Sequence, residues 1–180
     1  MSIPQELMLA ILSMDAYSRD YAAVMLVSGE KVGTAEVVDR SAIGVTADDY
    51  QRWQNSGFYA VAYNLNGQTV ISYRGTDNTE IFDSASDLWN GWTLGGGYGE
   101  ASQATLALDF YKQVMGHSAF DDTGAQPILT GHSLGGGLAG FVSFISGATG
   151  VGFDHMPFGE GAMAAIATEL ARRTGLFDPV

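Results

Sequence analysis

The chain has no cysteine, which excludes disulfides, thiol nucleophiles and thiolate metal sites. Cations are scarce: eight Lys and Arg stand against twenty Asp and Glu, a formal charge of −12. So few basic residues cannot assemble a basic face, which argues against nucleic acid as a partner and against attraction to an anionic membrane surface. Long apolar runs are missing as well. The longest early one, Leu7 to Leu12, follows Glu6 instead of a Lys/Arg cluster. It lacks the charged start of a signal peptide and is far too short to span a bilayer. No transmembrane segment is expected, and the default compartment is the cytoplasm.

The 180 residues, 46% apolar, are enough for one domain with a single core. Ser2-Ile3-Pro4-Gln5 has the form of a capping box, and Leu7, Ile11 and Met14 with Met8 and Leu12 then give one apolar helical face to about Tyr17. Arg19 to Gly44 is poorly periodic and reads as loops and short elements. Thr46 starts a second helix with Tyr50 and Trp53 on its buried side and Gly57 as its stop. Phe58 to Leu65 and Gln68 to Tyr73 alternate around Asn66-Gly67, which predicts a hairpin. Glu100 to Met115 repeats Leu106, Phe110 and Val114 at a spacing of four, a helix ended by Gly116. Leu138 to Ile145 is apolar nearly all round and reads as a buried helix, Val151 to Phe153 as a strand, and Ala162 to Arg173 as a last helix.

The chemistry is concentrated between these elements. Pro127-Ile128-Leu129-Thr130 runs into Gly131-His132-Ser133-Leu134-Gly135 and then into a small-residue helical segment. This strand–turn–helix pattern leaves a serine hydroxyl exposed at a helix N-terminus, whose free N–H groups suit an attack that generates an oxyanion. Ser133 is therefore the candidate nucleophile, and the Leu134 N–H is one oxyanion donor. A second donor must come from an earlier strand end, and Tyr73-Arg74-Gly75-Thr76 supplies one, with Thr76 offering an N–H and a hydroxyl. Strand–helix–strand–helix order after an antiparallel hairpin argues for an α/β-hydrolase-like domain. Its sheet would be mixed and mostly parallel, with helices on both faces.

Tyr73-Arg74-Gly75-Thr76-Asp77 followed by Gly131-His132-Ser133-Leu134-Gly135-Gly136 resembles the class 3 lipases. This α/β-hydrolase family includes filamentous fungal triacylglycerol lipases and many bacterial lipase-like proteins. The resemblance covers the hairpin through the helix ending at Arg173. It implies Ser133 as nucleophile of a lipase or esterase acting on lipid or other acyl esters, with Thr76 and Leu134 as the oxyanion pair, Ile81 to Trp92 as a lid, and no cofactor or metal. The bland alternative for Ile81 to Trp92 is a helix packed on the core. Glu80, Asp83, Asp87 and Asp77 do not form the alternating loop of a calcium site.

The family places its catalytic Asp and His after the last strand seen here, and only His155 lies downstream of Ser133 in position to be a base. His155 comes one strand early, which favours a structural role, and Asp154 beside it points to the opposite face of a strand. Two readings follow. In one, residues 1–180 are the N-terminal part of a longer catalytic domain, and a complementary chain segment or a second copy covers the open sheet edge. In the other, the chain is a non-catalytic hydrolase-fold module in which Ser133 is a remnant. Some bacterial members of the family are exported by distant C-terminal signals, which leaves secretion open.

Overall fold

The computed structural model describes residues 3–19, 30–75, 97–121 and 124–156, together with Ile166, Ala167, Leu170, Ala171, Arg173 and Thr174. Side chains are described from Gln103 onward in the helix that begins at residue 97. Thr76, the stretch Ile81 to Trp92 and the acidic residues at 77, 80, 83 and 87 lie outside the described residues.

The elements in chain order are α1 (Gln5–Asp15), β1 (Lys31–Val32), β2 (Ala35–Val37), α2 (Ala47–Asn55), β3 (Ala60–Leu65), β4 (Gln68–Tyr73), α3 (Gly97–Met115), β5 (Ile128–His132), α4 (Leu134–Ser146) and β6 (Thr149–Phe153). One sheet holds the strands in sequence order. Antiparallel pairings join β1 through β4, and β4, β5 and β6 pair in parallel. It follows that β2, β4, β5 and β6 run one way and β1 and β3 the other, a mixed sheet of the expected α/β class. The positions that follow the ends of β4 and β5 lie side by side, because Tyr73 pairs with Gly131.

The hairpin forms where the alternation places it. Asn66 and Gly67 both take positive φ, 53° and 89°, the geometry that lets a two-residue turn match the twist of its strands. Helix α2 also starts as read: the Thr46 hydroxyl accepts the Asp49 N–H at 3.1 Å while Asp49 accepts the Thr46 N–H at 2.9 Å. Its Trp53 lies edge-to-face with Phe58 and Phe110, each at 5.4 Å between ring centroids, and so ties α2 to α3 and to the entry of β3.

Helix α1 meets the expectation for its buried face only in part. Its flanking residue is Pro4, extended at ψ 144°, and Ser2, read as the cap, lies outside the described residues. Met8 and Leu12 of the expected face are buried, with Leu9 beside them, whereas Leu7, Ile11 and Met14 are exposed. The rotation follows from the sheet below. Ser72 Oγ in β4 donates to the Leu12 carbonyl at 3.1 Å, and Thr130 Oγ1 in β5 lies 3.4 Å from that of Leu9. The opposite face carries α3, where Tyr73 Oη donates to the Ala107 carbonyl at 3.2 Å. Helices thus cover both faces. In α4 Leu134, Leu138, Phe141 and Val142 are buried and Ile145 is half-buried, whereas Phe144 is 83% exposed. Beyond β6, Ile166, Ala167, Leu170, Ala171, Arg173 and Thr174 are helical. Arg173 fixes that segment to the loop before β5 through Ser118 Oγ at 2.7 Å and Asp121 at 3.2 Å.

Candidate active site

Ser133 occupies the single-residue turn between β5 and α4, with φ 56° and ψ −126°. No L-residue adopts that combination without cost, about 1–3 kcal/mol, and it persists only where the surroundings over-determine it. Here the surroundings act through three backbone hydrogen bonds. The Ser133 N–H donates to the Phe153 carbonyl at 3.0 Å, and its own carbonyl accepts from Gly137 at 3.2 Å and Met156 at 3.1 Å. The turn is therefore held from the helix that follows it and from the end of the neighbouring parallel strand.

Glycine is required on both sides of the turn for space. A Cβ on Gly135 would lie 2.1 Å from the Tyr73 carbonyl oxygen, and one on Gly131 would lie 2.3 Å from the Gly135 carbonyl carbon and oxygen. The first turn of α4 thus passes directly over the ends of β4 and β5, closer than any side chain allows. Leu134, the first helical residue, is buried, and its N–H belongs to the set that a helix N-terminus leaves without an intrahelical acceptor.

The chain leaving β4 reaches the same place. A Cβ on Gly75 would meet the His132 carbonyl oxygen at 2.8 Å and Ser133 Cβ at 3.2 Å, so Gly75 packs against the serine. Arg74, next to it, is fully buried, with its guanidinium 4.8 Å over the Tyr59 ring and its N–H donating to the Tyr59 carbonyl at 3.0 Å. The two sequence segments singled out as the chemistry, separated by more than fifty residues, are brought together up to Gly75. Thr76 itself lies beyond the described residues.

The three histidines separate. His117 precedes β5 and stacks edge-on to Tyr111 at 5.8 Å, at the opposite end of the sheet from Ser133. His132 turns to the α1 face, where its Nδ1 lies 3.1 Å from Tyr17 Oη. His155 is exposed and follows Asp154, a residue at φ 44°. It lies over the first turn of α4, such that a Cβ on Gly136 would come within 2.7 Å of His155 Cβ. Among the described residues no side chain hydrogen-bonds Ser133 Oγ, and no cluster of three or more His, Asp or Glu could hold a metal.

One site neighbour has no signal in the sequence. Tyr17 sits in the 3-10 turn Ala16–Ser18 after α1, and its hydroxyl accepts the Gly75 N–H at 3.0 Å. The turn is anchored from below by Asp15, buried, which accepts the Tyr63 hydroxyl at 2.7 Å and pairs with Arg19. Burial, then the adjacent Asp15 carboxylate, push the Tyr63 hydroxyl well above its ordinary range, so it remains a proton donor. Burial pulls the Arg19 guanidinium down, but the Asp15 hydrogen bond, then Tyr63 and the Asp15 charge, together outweigh it, and the net direction is upward. Only a 3.6-residue helical period connects Asp15 to Arg19 in sequence. Nothing local connects either to Gly75 or Ser133.

No curated protein and no solved structure is significantly similar to the chain. A family model described as "Phospholipase-like: Tle-like phospholipase domain" matches residues 8–174, nearly the whole chain. That match carries the expected lipase-type activity in its broad form, hydrolysis of lipid esters, without selecting class 3 lipases as the family. The chain, with its strand–serine–helix turn packed against the end of β4, belongs to the Tle-like phospholipase domain family.

Proposed function

We propose that the protein is a serine hydrolase of lipid carboxylic esters, in the manner of the class 3 lipases that its two motifs resemble. Ser133 attacks the acyl carbonyl, an acyl-enzyme forms with loss of the alcohol, and water releases the fatty acid. The observation that carries this reading is the strained Ser133 backbone, φ 56° and ψ −126°, at the end of a parallel strand and the head of a helix. Strain of that kind is maintained at a cost, and it leaves the hydroxyl at the edge of the turn, beside unpaired helix N–H groups.

The oxyanion of the tetrahedral intermediate is received by the Leu134 N–H and by Thr76. The Gly75 N–H is engaged by Tyr17, so the next donor along the chain is that of Thr76. If the Thr76 hydroxyl is a main donor, Thr76→Gly costs about 2.7–4 kcal/mol of transition-state stabilisation, and it costs little if only the N–H serves. Ser133→Ala is expected to abolish hydrolysis of phosphatidylcholine vesicles and of p-nitrophenyl butyrate with an unchanged melting temperature. Full turnover by that variant would refute the serine mechanism.

For the base, His155 is the histidine downstream of Ser133, and its backbone neighbour Met156 hydrogen-bonds the Ser133 carbonyl. If His155 is the base, His155→Ala loses as much activity as Ser133→Ala. If it retains ordinary turnover, His155 has the structural role that its early position in the sequence favours. The non-catalytic alternative, a hydrolase-fold module that binds a partner, predicts no ester turnover in either the parent protein or the variants. The outer edge of β6 is where a complementary segment or a second copy would extend the sheet, and light scattering on the full chain separates a monomer from an assembly.

A further inference from the structure

We propose that Tyr17 is a positioning residue for this site: its hydroxyl clamps the Gly75 end of β4 against the β5–α4 turn that carries Ser133. The inference rests on the serine-hydrolase reading above and adds to it a residue from the far N-terminal helix.

The clamp is built from one oxygen and two chain segments. Tyr17 Oη accepts the Gly75 N–H at 3.0 Å, lies 3.1 Å from His132 Nδ1 and lies 3.3 Å from the His132 carbonyl oxygen. A hydroxyl has one proton and two lone pairs. With the Gly75 N–H on one lone pair, the proton is within reach of His132, at Nδ1 when that nitrogen is unprotonated and at the carbonyl when it is not. Either arrangement joins the residue that follows β4 by two to the residue immediately before Ser133. The ring adds an edge-on contact with the His132 imidazole at 5.8 Å.

Two features make the bond a positioning device and not merely one more contact. The first is space: a Cβ on Gly75 would lie 2.4 Å from Tyr17 Oη and 3.2 Å from Ser133 Cβ, so Gly75 lies wedged between the phenol and the serine. Any drift of Gly75 changes its separation from Ser133 directly. The second is rigidity: Tyr17 sits between Asp15 and Arg19, which are paired to each other, and the Tyr63 hydroxyl holds Asp15 at 2.7 Å. The 3-10 turn is thus fixed to β3 through Asp15, in addition to the bonds that Ser72 and Thr130 make to α1. Residues 17, 75 and 132 are distant in sequence, and the hydroxyl is where the three meet.

Oxyanion stabilisation depends on donors held in place before the reaction, and displacement by about 1 Å can cost roughly a hundredfold in rate. Tyr17→Phe removes the oxygen and keeps the ring. In the full chain it is expected to lower kcat for p-nitrophenyl butyrate by about ten- to hundredfold with KM within about twofold. Amide exchange followed by NMR is expected to speed up at Gly75 by about tenfold or more while Ile71 and Leu129 keep their protection. Tyr111→Phe, which removes a hydroxyl bonded to Gln126 at 2.8 Å at the other end of the sheet, is the control and should alter neither readout. A kcat within about twofold of the parent, or unchanged Gly75 exchange, would overturn the inference. Ser133→Ala tested in parallel keeps the two claims apart. If that variant still hydrolyses the ester the nucleophile assignment fails, whereas Gly75 exchange in Tyr17→Phe judges the clamp whichever way the serine variant behaves.

Discussion

At the scale of single residues, the site is decided by glycines as much as by the serine. Gly135 passes so close to β4 that a methyl group would sit 2.1 Å from the Tyr73 carbonyl oxygen, backbone that cannot swing aside. Gly135→Ala is therefore expected to destabilise the fold by about 3 kcal/mol or more, at the upper end of over-packing costs, and to remove activity with it. Thermal unfolding monitored by circular dichroism checks this, and a melting temperature equal to the parent's would contradict it. The turn at Gly131, Ser133 and Gly135 is legible in the sequence because a tight passage from strand to helix accepts few other spacings. Tyr17 was not legible. It closes its contacts across 58 and 115 positions, and a tyrosine at the end of an amphipathic helix reads equally well as core.

Among the elements, those with local signals formed where they were read. The α2 start is one such case, since the reciprocal Thr46–Asp49 bonds are encoded within four residues. Burial works against the Asp49 carboxylate, but the Thr46 backbone and hydroxyl donors and Arg52 outweigh it and hold its pKa below the ordinary 3.8. A carboxyl depressed in the folded state contributes stability above its unfolded value, and that contribution is lost as pH falls through the folded one. Thr46→Ala should cost about 1 kcal/mol near neutrality. The difference between variant and parent should narrow only below about pH 3.8, and a gap that persists unchanged into stronger acid would argue against this origin. Helix α1 is legible only in part. Met8 and Leu12 of the apolar face read in the sequence are buried, while Leu7, Ile11 and Met14 are exposed and Leu9 is buried in their stead. Both stripes are apolar, so the choice belongs to the sheet, where Ser72 and Thr130 fix the helix by its carbonyls. The β1–β2 hairpin lies in the stretch read as loops and short elements, because two- and three-residue strands carry no readable alternation.

At the scale of the whole molecule, charge and fold make separate statements. A chain at −12 that hydrolyses lipid esters has to approach a bilayer against its own field when the lipid is anionic. Association with phosphatidylglycerol vesicles should be slower than with phosphatidylcholine vesicles at low salt. The difference should shrink as the screening length falls to about 8 Å at physiological ionic strength. Stopped-flow light scattering measures it, and faster association with the anionic vesicles would contradict the charge argument. The fold class was legible because element order alone separates a parallel βαβ half from an antiparallel one. The family was legible only in its broad chemistry: two motifs identify a lipase-type hydrolase, and the match over residues 8–174 is to the Tle-like phospholipase domain. The central claim is that Ser133 is the nucleophile, and its most direct test is active-site titration with a fluorophosphonate followed by peptide mass analysis. One phosphonyl group per active site is expected on the peptide containing Ser133, with residual hydrolysis falling in proportion to labelling. Full hydrolysis with Ser133 fully labelled, or loss of hydrolysis with the label on another residue, would contradict it.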